Sequence, residues 1–270
     1  MKKLIFNADD FGYSYGVNYG IIESHLRGVL TSATLMAGMP AFAHAVSLAK
    51  SHPTLGVGVH LTLTCGRPVL DGHKTLVEKN GEFHKLFFYK EQETEFDVTE
   101  VYDEWKAQIE KVLDAGIHPT HLDSHHHVHI FKNLESVFIR LAKEYSLPVR
   151  NSKEGQREGK IDGVPCGNIL IDFIECSGVH FHTALQEYAP AIEESMHRAV
   201  REALTKYDCV EVMCHPAYLD TDVMLHSSFN LHRMCEVDLL VSPKSRTFVE
   251  QLPNVVLTNY AAFDKGGMDI

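Results

Sequence analysis

The chain of 270 residues lacks three things whose absence narrows its function: a paired cysteine motif, a long apolar run and an excess of positive charge. Its six cysteines, Cys65, Cys166, Cys176, Cys209, Cys214 and Cys235, form no Cys-x-x-Cys pair, which fits reduced thiols rather than a disulfide framework or a thiolate metal site. No apolar run approaches the ~18 residues of a membrane span. The opening Met1-Lys2-Lys3-Leu4-Ile5-Phe6 meets Asn7 and two aspartates too soon for a signal peptide, so a cytoplasmic location is expected. With 25 Lys and Arg against 36 Asp and Glu, the formal net charge is -11. That balance disfavours nucleic acid or an anionic membrane as the main partner and suits a small neutral or cationic substrate. The sequence is compatible with a homodimer without requiring one. What is present is ample core material: 44% of residues are hydrophobic, enough for one domain spanning 1-270 rather than two small ones.

Strand-like and helix-like runs alternate from end to end, the βαβ pattern of a mostly parallel sheet or barrel. The reading places strands at Lys3 to Asn7, Ser32 to Ala37, Leu55 to Thr64, Pro148 to Asn151, Cys209 to Cys214 and Val255 to Asn259. Helices are expected at Val17 to Arg27, Ala41 to Lys50, Val98 to Ala115, Leu134 to Tyr145, Thr183 to Lys206 and around Ser245 to Gln251. In the third of these, Val101, Trp105, Ile109, Val112 and Leu113 recur at helical spacing and form a core stripe. Two insertions interrupt the alternation, Gly66 to Glu95 and the Gly-rich Ser152 to Phe181, the second read as irregular and lying over a site. The count comes to about seven strand-helix units with long insertions, short of the eight of a closed barrel, so the expected fold is a distorted or incomplete (β/α) barrel. Functional groups in such folds gather at the carboxyl ends of the strands.

The densest cluster of reactive side chains is His121-Leu122-Asp123-Ser124-His125-His126-His127-Val128-His129, with five imidazoles among the even-spaced and flanking positions of one short run besides a carboxylate. Gly116 and Pro119 stop the preceding helix and favour a strand, on which His121, Asp123, His125, His127 and His129 would share a face. A polar strand end with solvated imidazoles would explain one histidine; this density reads as a metal site. Three further strand ends carry matching chemistry: Asn7-Ala8-Asp9-Asp10-Phe11-Gly12, Gly58-Val59-His60 and Met213-Cys214-His215-Pro216. Successive strand residues point to opposite faces, so Asp9 and Asp10 serve one site only if the backbone turns there, which Gly12 permits. One carboxylate would then bind metal and the other take a proton from water. Each strand end alone has an ordinary explanation: a turn or cap for the aspartates, a buried hydrogen-bonded imidazole for His60, a strand terminator for His215-Pro216. Their coincidence on four strand ends of one chain does not.

Taken together, these four motifs resemble the YdjC-like carbohydrate deacetylases, most closely the chitooligosaccharide deacetylase branch, in the same order along nearly the whole chain. The resemblance weakens in the two insertions, where substrate identity would be decided. It implies a distorted (β/α) barrel and hydrolysis of an N-acetyl group from an amino sugar, with a role in chitin and polysaccharide degradation. Carried over position by position, it implies Asp10, His60 and His125 as metal ligands, Asp9 as catalytic base and His215 as general acid. It also implies Mg²⁺, although two imidazoles and a carboxylate suit Zn²⁺, Co²⁺, Ni²⁺ or Fe²⁺ better than a cation preferring oxygen.

Amide hydrolysis calls for such groups in its own right: an activated water, a base for its proton, and an acid for the leaving amine. Asp123 or His121 would orient a ligand imidazole from behind. Phe11, Tyr13 and Tyr218 flank the motifs as sugar-stacking candidates, with core packing the stronger expectation for Phe11. Arg150 would hold a sugar hydroxyl or form an ordinary salt bridge. Two rivals stay open. A metal-dependent phosphoesterase or amidohydrolase would use a related barrel but wants paired metals or free Arg and Lys clamps, in which the motifs are poor. A non-enzymatic metal-binding protein needs neither the second aspartate nor His215.

Overall fold

The computed structural model describes residues 1–91, 96–152, 159–173 and 185–263, with the backbone alone over 185–191. Its elements are β1 (Lys2–Phe11), α1 (Tyr15–Arg27), β2 (Ser32–Leu35), α2 (Phe42–Ser51), β3 (Gly56–Leu61), α3 (Leu86–Glu91), α4 (Val98–Asp114), β4 (Leu122–Ser124) and α5 (Leu134–Glu144). There follow the small antiparallel hairpin β5 (Lys160–Ile161) and β6 (Val164–Pro165), then β7 (Ile169–Asp172), α6 (Leu185–Lys206), β8 (Cys209–Cys214), α7 (Thr221–His226), α8 (Leu231–Val241), α9 (Pro243–Glu250) and β9 (Val255–Leu257). Local sequence explains the helix starts. Ser14 accepts from the Val17 amide, Asp97 from Thr99 and Glu100, and Asp220 from Val223, each satisfying a first-turn donor. On α4 the expected stripe is buried at Val101, Trp105, Ile109 and Val112.

The main sheet runs β4-β3-β2-β1-β8-β7, all parallel, with β9 also on β1. β1 is its hub. One edge pairs with β8 from Lys3 to Ala8; the other is shared by β9 at Lys2 to Leu4 and β2 from Asn7 onward. Beyond β4 the sheet continues among the described residues only through isolated bridges, Leu122 to Val149 and Val149 to Cys166. The fold is therefore a distorted, incomplete α/β barrel. Leu4, Phe6, Ala33, Val59, Leu122 and Val212 share one face of the sheet and are buried, and Ile5, Asn7, Thr34, Asp123 and Glu211 on the opposite face are buried too, so the sheet is covered on both sides.

Four expectations need correction. The strand over Pro148 to Asn151 reduces to the single bridge at Val149. The stretch Ser152 to Phe181, expected to be irregular, contains the β5–β6 hairpin and β7, while residues 153–158 and 174–181 lie outside the described residues. Helices α7 and α8 were not anticipated. Finally, β4 ends at Ser124 because its partner β3 ends at Leu61, and the histidine run turns into a 3-10 segment over His125–Ile130 with left-handed His126 (φ 56°) and His127 (φ 52°). Ser124 folds the run back: its Oγ accepts the His129 amide at 3.1 Å and lies 2.5 Å from His129 Nδ1. His121, His125, His127 and His129 therefore do not share a strand face.

Candidate active site

A bulge near the end of β1 builds the first half of the site. The register against β2 shifts between Ala8 and Phe11, and Asp10 sits at φ 69°, a left-handed conformation that Asp tolerates better than most residues. This extra residue is what brings both Asp9 and Asp10 to one site. The turn is then held by Tyr13, whose amide donates to the Asp10 carbonyl at 2.9 Å, and by Asn18, whose Oδ1 accepts the Gly12 amide at 2.7 Å.

Three donor atoms converge beyond it. One ligand atom from each of Asp10, His60 and His125 lies within 4.8 Å of the other two. Asp10 Oδ1 is 3.0 Å from His125 Nδ1 and 3.6 Å from His60 Nε2, yet this buried oxygen has no aligned hydrogen-bond partner among the described residues. Its other oxygen accepts from Arg233 Nη2 at 2.7 Å. Burial would raise the Asp10 pKa, but Arg233 and then His125 outweigh it and hold the carboxyl well below its usual range. Burial likewise opposes charge on His125, but the neighbouring Cys65 sulfur and Asp10 lift its pKa well above the ordinary value. His60 is oriented from behind: its Nδ1 lies 2.7 Å from Asp123 Oδ1, and Thr34 Oγ1 donates to Asp123 Oδ2 at 3.0 Å. Two imidazole nitrogens and an unpartnered carboxylate oxygen turned to one point fit a divalent metal ion.

Behind this cluster lies Arg150, fully buried. It grips Asp9 with both terminal nitrogens, at 2.7 and 2.6 Å, contacts Asp123 at 2.8 Å, and donates to Glu211 Oε1 from Nε at 2.9 Å. Burial pushes the Asp9 pKa up, Arg150 and His60 pull it down, and the net shift is downward. Asp9, His60 and Asp123 also group closely, but this guanidinium already neutralises that set. Of the two roles expected for Arg150, the structure supports the ion pair: its donors are spent on carboxylates rather than offered to a sugar.

His215 follows β8 and is half-buried; its amide donates to Glu236 Oε2 at 2.5 Å and its ring meets Phe229 edge-on at 5.6 Å. Burial pushes its pKa down to about 4, against the pull of Asp9 and Asp10. The remaining histidines divide. His121 is fully buried and stacks on Tyr260 with centroids 3.9 Å apart, whereas Asp123 is the one that meets His60. His129 packs on Phe138 in the core, and His127 Nδ1 lies 3.3 Å from Ser152 Oγ. Phe11 and Tyr13 are core residues, whereas Tyr218 is exposed. Sequence reading missed Arg233, Glu211, Thr34 and Tyr260. Glu211 left a signal, a lone charge inside the apolar strand Cys209–Cys214; Arg233 left none beyond its place on an unanticipated helix.

Fold and site together define an α/β barrel with a buried carboxylate and imidazole centre at the carboxyl ends of its strands. The family model for YdjC-like protein matches residues 3–251, and the chain belongs to the YdjC-like family. It is 39% identical over 247 residues to a carbohydrate deacetylase of Brevibacillus brevis, covering 92% of this chain and 94% of that one. It is 41% identical over 244 residues to a carbohydrate deacetylase of Halalkalibacterium halodurans, covering 90% and 96%. Among solved structures it is similar to a proposed cellobiose-phosphate cleavage protein of Enterococcus faecalis, with a TM-score of 0.83, 34% identity, and coverage of 96% and 97%.

Proposed function

We propose that this protein is a metal-dependent hydrolase that removes an N-acetyl group from an amino sugar, with chitooligosaccharides as its substrate class. One observation carries the reading: Asp10, His60 and His125 turn donor atoms to one point, beside a second, separately held carboxylate at Asp9. Relatives named carbohydrate deacetylases match over 90% or more of the chain, which supports deacetylation of a carbohydrate; the choice of chitooligosaccharides rests on the resemblance of the motifs.

In this reading Asp10, His60 and His125 hold a divalent ion, Mg²⁺ by resemblance and Zn²⁺ or another transition metal by donor type. When bound, the ion supplies Lewis-acid chemistry, polarising the acetyl carbonyl and acidifying water. Asp9 is the base that takes the proton of the attacking water; Arg150 keeps it ionised and fixes both its oxygens. His215, which follows β8 and is neutral at rest, acts as the general acid by relaying to the leaving nitrogen the proton taken from water. The balance closes: a carbon–oxygen bond forms, the carbon–nitrogen bond breaks, and the proton removed from water ends on the amine. A phosphoester substrate is the weaker reading, because Arg150 and Arg233 are both engaged by carboxylates. A cytoplasmic role in breaking down chitin fragments goes with the proposal.

The test is acetate release from diacetylchitobiose and longer N-acetylated oligomers, before chelation, after it, and after metal return. Activity lost and restored with the metal is the expected result; full activity in the stripped protein contradicts metal dependence, and inactivity on every oligomer contradicts the substrate class.

A further inference from the structure

Tyr260 lies beyond the part of the chain that the family model matches, yet it is fully buried beneath the site. Its hydroxyl donates to Glu211 Oε2 at 2.5 Å. The other oxygen of Glu211, Oε1, accepts from Arg150 Nε at 2.9 Å and Nη2 at 2.8 Å, and Arg150 holds both oxygens of Asp9. These contacts form one continuous chain from the C-terminal segment to Asp9. We infer that Tyr260 and Glu211 are positioning residues for Asp9, acting through Arg150; the inference rests on Asp9 being the base.

A guanidinium is planar, so the plane in which Arg150 presents its two terminal nitrogens to Asp9 is set by what grips its other edge, and Glu211 is that grip. Glu211 in turn needs a fixed partner for its second oxygen. The Tyr260 ring provides one because it is itself clamped, stacked on His121 at 3.9 Å and 8° and on Phe263 at 5.1 Å and 19°. Room for His121 exists because residue 58 is Gly: a Cβ there would stand 2.5 Å from His121 Cε1. The segment is also tied to the strand that bears Asp9, through the pairing of β9 with Lys2–Leu4 and the Thr258 amide on the Leu4 carbonyl at 2.9 Å. Stability alone is a poor explanation for gathering Asp9, Asp123 and Glu211 around one buried guanidinium, since apolar side chains would fill the same space at lower desolvation cost. Holding a reacting carboxylate at one angle does explain it.

The test is Tyr260→Phe, which removes the hydroxyl and keeps the stacked ring, made in the wild-type and in the Asp9→Asn background. In the wild-type background kcat should fall about 10–100-fold, the scale on which outer-sphere partners act, with KM and bound metal unchanged. In the Asp9→Asn background the same change should leave the residual kcat unaltered, because the group being positioned is gone. An equal loss in both backgrounds marks a merely structural role and overturns the inference, as does an undiminished kcat in the single variant. A second readout needs no turnover: exchange of the Arg150 Nε–H, followed by NMR, should be at least about tenfold faster in Tyr260→Phe, since that proton is buried and bonded to Glu211. If the wild-type protein releases no acetate at all, the deacetylase reading fails, and this exchange rate still decides whether Tyr260 holds Arg150; an unchanged rate overturns it.

Discussion

Arg150 meets Asp9 edge to edge, Nη1 to Oδ2 at 2.7 Å and Nη2 to Oδ1 at 2.6 Å, with the guanidinium wholly removed from solvent. The same cation also serves Asp123 and Glu211, so its removal strands three buried carboxylates at once. Arg150→Met should cost at least about 3–5 kcal/mol, the usual loss when one partner of a buried ion pair is removed. Urea unfolding measures it; a loss within about 1 kcal/mol would mean that the carboxylates shed their charge freely.

The two aspartates should separate by experiment. Asp9→Asn should keep the metal and lose about 10²–10⁴-fold in kcat, the range of general base catalysis. Asp10→Asn should lose metal as well, because Asp10 supplies the unpartnered oxygen at the point of convergence. Metal analysis alongside kinetics decides between them. Normal metal content in both variants, with only Asp10→Asn inactive, would reverse the roles.

Among the clustered histidines, His125→Ala should abolish metal binding, while His127→Ala should spare it. His125 Nδ1 lies 3.0 Å from Asp10, whereas His127 turns to Ser152. Metal content after extensive dialysis of both variants checks this, and a metal-free His127→Ala beside a metal-replete His125→Ala would contradict it.

Stability should fall steeply in mild acid. His121 is held neutral by burial, its pKa pushed down to about 3 from an ordinary 6.5. Below pH ~6.5 the unfolded chain takes up a proton there that the folded chain refuses, so the stability present above that pH is lost as pH drops toward the folded value. One such group contributes a slope of about 1.4 kcal/mol per pH unit. In His121→Gln, ΔG of unfolding between pH 6 and 4 should be shallower by that amount, as read from denaturant titrations; identical slopes would show that His121 does not carry the dependence.

Most of the frame was legible because alternation and capping are local properties. The strand Cys209–Cys214 is the length its apolar run implies, and α4 starts where Asp97 caps it. The Asp and His residues could be grouped because they stand at four separate strand ends, whereas the choice of residues 10, 60 and 125 among them came from the resemblance. Legibility failed where tertiary context overrode local pattern. Nothing in the histidine run says that β3 has stopped at Leu61, so nothing says that β4 must stop at Ser124. Arg150 could be named as an ion-pair candidate, but its partners stayed hidden for the same reason: Asp9, Glu211 and, through Glu211, Tyr260 join it across long sequence separations.

The order of the strands also sets the order in which charge is balanced as the chain is made. β1, β2, β3 and β4 lie side by side in the sheet and leave the ribosome first, bringing Asp9, Asp10 and Asp123 with them. Their counter-cations come later, Arg150 after β4 and Arg233 only on α8. A nascent chain that has reached residue 149 therefore has the donor set without either guanidinium, and its carboxylates must stay hydrated. Burying those carboxylates before Arg150 and Arg233 have joined them would leave their charge uncompensated, so the drying of the site is tied to the arrival of these two side chains.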